Sequence, residues 1–242
     1  MVPLKEDLTV APSDYYNAQG TIVLANPNAP TGIGLSRKQI EGILQNNPDN
    51  LVIIDEAYVD FGGQSCIPLI DTYDNLLVIQ TFSKSRSLAG CRVGFAVANK
   101  EIISDMNRIK YSFNPYNLDR LAILIATAAI KDSETFETNR QDVMANREWF
   151  AAEMTKRGFL VLPSTANFVF VKAEYKENLS TGKGTSLTGE AYFEALREKN
   201  ILVRYFDKDK IRDYVRITIG KKSELEQLLS ATDAILLEFN IK

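Results

Sequence analysis

Four short apolar runs set the pattern of the first part of the chain. Thr21-Ile22-Val23-Leu24-Ala25, Leu51-Val52-Ile53-Ile54, Leu76-Leu77-Val78-Ile79 and Val93-Gly94-Phe95-Ala96-Val97-Ala98 show no alternation of apolar and polar positions. Continuous runs of this kind predict strands of a sheet covered on both faces. After the first run, Ser36 heads a segment with Ile40, Ile43 and Leu44 on one face, which predicts a capped helix over 36–45. Helices are also predicted over 100–109, 118–131 and 134–157, the last with Phe136, Val143, Trp149, Phe150 and Met154 as its apolar stripe. The residues before Gly20 have no clear period and read as irregular, with one short strand at Thr9-Val10.

The character changes after Gly158. Phe159-Leu160-Val161, Phe168-Val169-Phe170-Val171, Ile201-Leu202-Val203 and Tyr214-Val215-Arg216-Ile217-Thr218-Ile219 predict short strands. A glycine-containing loop at 180–189, a helix at 188–199 and a terminal helix from Ser223 complete a small α+β layer. The fold class expected is α/β, with a large-domain sheet and a small α+β C-terminal domain. The boundary falls inside the 134–157 helix, giving domains 1–145 and 146–242.

Polar chemistry collects where the apolar runs end, as it does at the carboxyl ends of strands in open α/β sheets. The first run stops at Asn26-Pro27-Asn28-Ala29-Pro30-Thr31-Gly32, the second at Asp55-Glu56-Ala57-Tyr58. The third leads into Thr81-Phe82-Ser83-Lys84-Ser85-Arg86-Ser87-Leu88-Ala89-Gly90-Cys91-Arg92-Val93-Gly94-Phe95. Lys84, Arg86 and Arg92 among hydroxyls and glycines suit an anion, most simply a phosphate. A lysine held near arginines is disfavoured as an ammonium, which frees its amine to act as a nucleophile. The alternative for this stretch alone is a solvated basic loop.

Composition narrows the chemistry. The chain has 242 residues, a formal net charge of -3 and no histidine. Without histidine, Ser-His and Cys-His pairs, imidazole metal ligation and imidazole proton transfer are excluded. Proton transfer then falls to Lys, Tyr, Cys or a carboxylate. The acidic balance gives no electrostatic footprint for nucleic acid, and no apolar run approaches membrane-spanning length. The first residues lack the order of a secretory signal, so a cytoplasmic location is expected. Cys66 and Cys91 are too few for a disulfide framework and lack zinc spacing, and no metal site is expected.

Five motifs in order resemble a known family. They are Asn26 to Gly32, Asp55 to Tyr58, Thr81 to Gly94, Pro163-Ser164 before Ala166-Asn167-Phe168, and Val203-Arg204 followed by Val215-Arg216-Ile217-Thr218-Ile219-Gly220. Together they resemble the pyridoxal-phosphate-dependent aminotransferases of the aspartate-aminotransferase fold type (fold type I), most closely the histidinol-phosphate aminotransferases. The resemblance implies pyridoxal 5'-phosphate as cofactor, bound by residues 1–145. It implies transamination between histidinol phosphate and 2-oxoglutarate in histidine biosynthesis, an amino donor and a 2-oxo acid as small-molecule partners, and a homodimer.

It also implies roles. Lys84 condenses with the cofactor aldehyde and later moves the proton between substrate carbon and cofactor. Asp55 pairs with the pyridine nitrogen, keeping the ring an electron sink; taken by itself it is also a helix cap or loop carboxylate. Tyr58 donates to the ring oxygen, or serves only as a wall residue. Ser83 and Arg92 hold the phosphate. Arg216, mid-strand in an apolar run where an unpaired guanidinium is costly, anchors the substrate carboxylate or phosphate. Arg204 assists it or makes a surface ion pair. Asn167 and Tyr116 match site-lining positions, with strand-end hydrogen bonding and core packing as their alternatives.

Two departures qualify the resemblance. Relatives carry asparagine before Pro-Thr-Gly, where this chain has Ala29, which leaves the ring-oxygen contact to Tyr58, with Asn28 or a water in support. About the first third of the family's chain has no counterpart, so the sheet is expected to be incomplete on its N-terminal side. Two alternatives follow: a non-catalytic truncated remnant that folds and dimerises without cofactor, or a related enzyme acting on aromatic amino acids or another phosphorylated amine.

Overall fold

The architecture is that of a computed structural model, which describes residues 1–173 and 187–241. Positions 180–186 of the expected glycine-containing loop lie outside the described residues. The chain divides into two compact units, 1–29 with 33–141, and 30–32 with 142–242.

In the first unit, strands β1 (Ile22–Ala25), β2 (Val52–Asp55) and β3 (Leu76–Thr81) are parallel neighbours, and β4 (Gly94–Ala98) pairs antiparallel with β3. Helix α1 (Arg37–Gln45) connects β1 to β2. Its Ile40, Ile43 and Leu44 pack with Ile22, Leu24, Val52, Ile54, Leu76 and Val78 in one apolar cluster. The Ser36 side chain accepts from the Gln39 N–H, and the Gln39 side chain returns to Ser36, completing a capping box. Cover on the other face of the sheet is partial. Leu77 is buried, while Val23 of edge strand β1 is 65 % exposed. Register sets Ala25, Asp55 and Ile79 side by side at the carboxyl ends of the parallel strands.

Helices α2 (Lys100–Phe113) and α3 (Arg120–Lys131) follow β4. No residue of α2 is buried, and α3 buries only Ala122 and Ala126. Many of their other apolar side chains, including Ile109, Phe113, Leu121, Leu124 and Ile130, are exposed. Helix α4 (Ser133–Lys156) runs from the first unit into the second.

The second unit holds an antiparallel sheet in the order β5 (Phe159–Val161), β6 (Phe168–Ala173), β8 (Tyr214–Thr218), β7 (Arg204–Tyr205). Phe150 and Met154 of α4, with α5 (Gly189–Glu198) and α6 (Lys222–Glu238), bury Val169, Val171, Val215 and Ile217.

Two short strands fall elsewhere than the pattern predicts. Thr9-Val10 is not a strand, because Asp7 takes the Thr9 N–H at 3.0 Å and the Thr9 hydroxyl at 2.6 Å, closing a local turn. Ile201 to Val203 is not one either. The Ile201 N–H returns to Leu196 at the end of α5, Leu202 is exposed, and pairing with β8 begins only at Arg204. Among the described residues no helix is long and apolar enough to cross a membrane, and no cluster of His, Cys, Asp and Glu could hold a metal ion.

Candidate active site

The end of β2 is built around a buried carboxylate that the sequence pattern did not single out. Glu56 accepts from the Ser65 hydroxyl at 2.7 Å, the Cys66 N–H at 2.5 Å and the Gln80 amide at 2.8 Å. Three donors compensate its desolvation and tie β2, β3 and the 65–66 turn together. Cys66 lies against this group, and burial, with the Glu56 charge second, pushes its thiol up to about 12. It is unreactive near neutral pH. Cys91, the other cysteine, is half-buried.

With Glu56 held inward, its neighbour Asp55 is half-buried at the strand end. Its carboxylate accepts the Ala57 N–H at 3.0 Å and has no cationic partner among the described residues. A carboxylate in that state is suited to a cationic group from outside the chain. The Tyr58 ring faces Lys84, whose Nζ lies 5.3 Å from the ring centroid. Lys84 makes no ion pair among the described residues.

Strands β3 and β4 place the rest of the stretch. Thr81 is paired with Gly94, and the Phe82 N–H donates to the Val93 carbonyl at 3.1 Å, so Ser83 and Arg92 stand one rung further out. A β-carbon at Gly94 would come within 2.9 Å of the Gln80 carbonyl, so this rung accepts only glycine without a shift. The Ser83 hydroxyl accepts from Thr81 Oγ1 at 2.9 Å. Arg92 has a left-handed backbone with φ of 54°, is exposed, and donates to the Ala89 carbonyl at 2.9 Å. Arg86 is not part of one cation cluster with these. Its guanidinium stacks 3.6 Å over Phe136 of α4 and donates to the Ala129 carbonyl of α3 at 2.7 Å.

At Asn26-Pro27-Asn28 the Asn26 side chain is buried, bonds Leu35 in both directions at 2.6 and 3.1 Å, and so closes the loop. The Asn28 N–H donates to Ile33, and Ala29 is exposed. Tyr116 is 91 % exposed and packs in no core.

In the second unit, Arg204 and Arg216 are directly opposite each other on β7 and β8. Both guanidinium groups lie near Phe206, at 5.4 and 5.7 Å, and Arg216 also lies 5.0 Å from Phe168. Neither has a carboxylate partner among the described residues. Two like charges directly across a strand pair are destabilising unless an anion bridges them. The alternation of β8 explains the direction, since Val215 and Ile217 face the core and Arg216 the other side. Asn167 accepts the Ile219 N–H through its backbone carbonyl at 2.9 Å. Buried Arg147 donates to the Ala166 carbonyl at 2.9 Å and fixes the loop that carries Asn167.

Beside this strand-end acid, the lysine beyond the next strand and the arginine pair, the sequence comparison gives a class: residues 2–231 match the family described as aminotransferase class I and II. The chain belongs to that family. It is similar to the histidinol-phosphate aminotransferase of Clostridium botulinum (strain Kyoto / Type A2), with 46 % identity over 236 residues, 98 % of this chain and 64 % of that protein. The chain thus spans just under two thirds of that relative's length. The crystal structure of the histidinol-phosphate aminotransferase from Clostridium acetobutylicum matches with a TM-score of 0.84 and 24 % identity, over 97 % of this chain and 70 % of that one. That of histidinol-phosphate aminotransferase from Sinorhizobium meliloti in complex with pyridoxal-5'-phosphate matches with a TM-score of 0.77 and 23 % identity, over 90 % and 57 %. The fold is a part of the α/β aminotransferase fold type I.

Proposed function

We propose that this chain is the larger part of a pyridoxal-phosphate-dependent aminotransferase of the cytoplasm that transfers the amino group of histidinol phosphate to 2-oxoglutarate in histidine biosynthesis. The observation that carries the reading is a Lys84 that faces Tyr58 and makes no ion pair among the described residues, with Asp55, an acid without a cationic partner among them, at the end of β2. When bound, the cofactor supplies an amino-group carrier and an electron-withdrawing ring. Lys84 Nζ would be the nucleophile that holds it and the base that takes and returns the substrate proton. Asp55 would keep a proton on the ring nitrogen, and Tyr58, with Asn28 nearby in sequence to Ala29, would serve the ring oxygen. Ser83 and Arg92 would take the phosphate. In this reading residues 1–145 carry the cofactor site.

Residues 146–242 supply Arg216 and Arg204, a paired cation that suits the α-carboxylate of one substrate and the phosphate of the other. Asn167 and Tyr116 complete the substrate-binding set. A homodimer is part of the proposal, supported by the exposed apolar residues of α2 and α3. A second reading is favoured by the open edges at β1 and β4: a remnant that folds and associates without cofactor.

Adding pyridoxal phosphate to the purified chain decides between them. The enzyme reading expects a visible absorption band that borohydride bleaches and that Lys84→Ala lacks. No band in the wild-type chain would leave the remnant reading standing.

A further inference from the structure

We propose that Asp60 and Ser85 form a positioning clamp for Lys84, resting on the reading of Lys84 as the working lysine. Ser85, the next residue, is buried at 7 % exposure, and its hydroxyl donates to the Asp60 carboxylate. Asp60 lies two residues after Tyr58, in the 3₁₀ turn Val59–Phe61. The bond therefore links the segment that carries Lys84 to the segment that carries Tyr58, without using either side chain. A hydroxyl on a carboxylate is charge-assisted, about twice as strong as its neutral counterpart.

The acceptor is itself held. Arg140 of α4 donates to the Asp60 carbonyl at 3.3 Å, and its Nε and Nη2 are fixed by Glu137 at 2.8 and 2.6 Å. Next along the chain, Arg86 is anchored by Phe136 and the Ala129 carbonyl. The Ser87 N–H closes the turn onto the Lys84 carbonyl at 3.1 Å, with Ser87 itself at a φ of 57°. Before Lys84, the Ser83 N–H donates to Thr81 Oγ1 at 3.1 Å, so Lys84 has a backbone held on both sides and a side chain with no hydrogen bond or ion pair among the described residues. A lysine that must form and release a covalent bond needs this combination: a fixed pivot and a free arm.

The test reads the lysine directly, without cofactor. The wild-type chain and Ser85→Ala, Ser85→Thr and Asp60→Asn variants are treated briefly with an acetylating reagent, and Lys84 is followed by peptide mass spectrometry against exposed Lys222. The clamp predicts that Lys84 acetylation rises several-fold in Ser85→Ala as the loop opens, and less in Asp60→Asn, which keeps a neutral acceptor. Ser85→Thr, which retains the hydroxyl, keeps the wild-type rate, and Lys222 is unchanged throughout. Wild-type rates at Lys84 in both Ser85→Ala and Asp60→Asn would overturn the proposal. If Ser85→Ala does not fold, Asp60→Asn decides alone. Pyridoxal phosphate is then added in a separate arm, where the clamp predicts slower growth of the borohydride-sensitive band in Ser85→Ala. A wild-type chain with no band would refute the cofactor reading, while the acetylation result still decides the clamp.

Discussion

The arginine pair shows how far a single residue's role can be read from charge. Arg216 stood out in the sequence because it interrupts an apolar strand, and the structure adds what the strand could not show: Arg204 directly across from it. The pair predicts that millimolar phosphate or 2-oxoglutarate raises the melting temperature of the wild-type chain by relieving the repulsion. Arg216→Ala abolishes that rise; an equal rise in the variant would exclude this site. Asp55 ends an apolar run and Lys84 stands among cations and hydroxyls beyond another, which made both positions visible as candidates in the sequence. The second contacts were not. Asp60, Ser85, Arg140 and Arg86 meet across separations of 25 to 80 residues, and no local period encodes them. The Glu137–Arg140 pair also has a pH signature. The Arg140 guanidinium, with Gln141 second, lowers the Glu137 carboxyl from 4.5 to about 2. A depressed folded value means that its contribution is present above the ordinary 4.5 and is lost as pH falls toward 2. Glu137→Gln should flatten the loss of stability across that window, as measured by urea unfolding at a series of pH values.

At the scale of elements, the sequence was informative wherever burial and capping agreed. The runs at Ile22–Ala25, Val52–Asp55 and Leu76–Thr81 are strands, and Ser36 caps α1 in the manner its sequence predicts. Ser36→Ala should cost about 1 kcal/mol in denaturant unfolding, the usual worth of an N-cap side chain; no change would mean that Gln39 alone holds the helix start. The misplaced strands have a common cause. Asp7 offers Thr9 a side-chain partner, and the return of Ile201 to α5 delays pairing until Arg204, so in both places a local bond displaces the strand expected from residue preference.

For the whole molecule, exposed apolar residues gather on α2 and α3, the face on which the proposed homodimer rests. Sedimentation velocity should show a dimer that Leu121→Glu with Leu124→Glu dissociates; a wild-type monomer at high concentration would remove dimerisation from the proposal. The sequence did not separate these residues from the core because an apolar residue reads the same whether or not its own chain covers it. One further property of the molecule follows from its two thiols. Cys66, locked behind Glu56 with its proton retained, will not react with a maleimide dye, whereas half-buried Cys91 is the thiol left to take the label. The unmodified sequence therefore offers one thiol for a dye next to Arg92, so the proposed arrival of an anion at that arginine has a fluorescence readout.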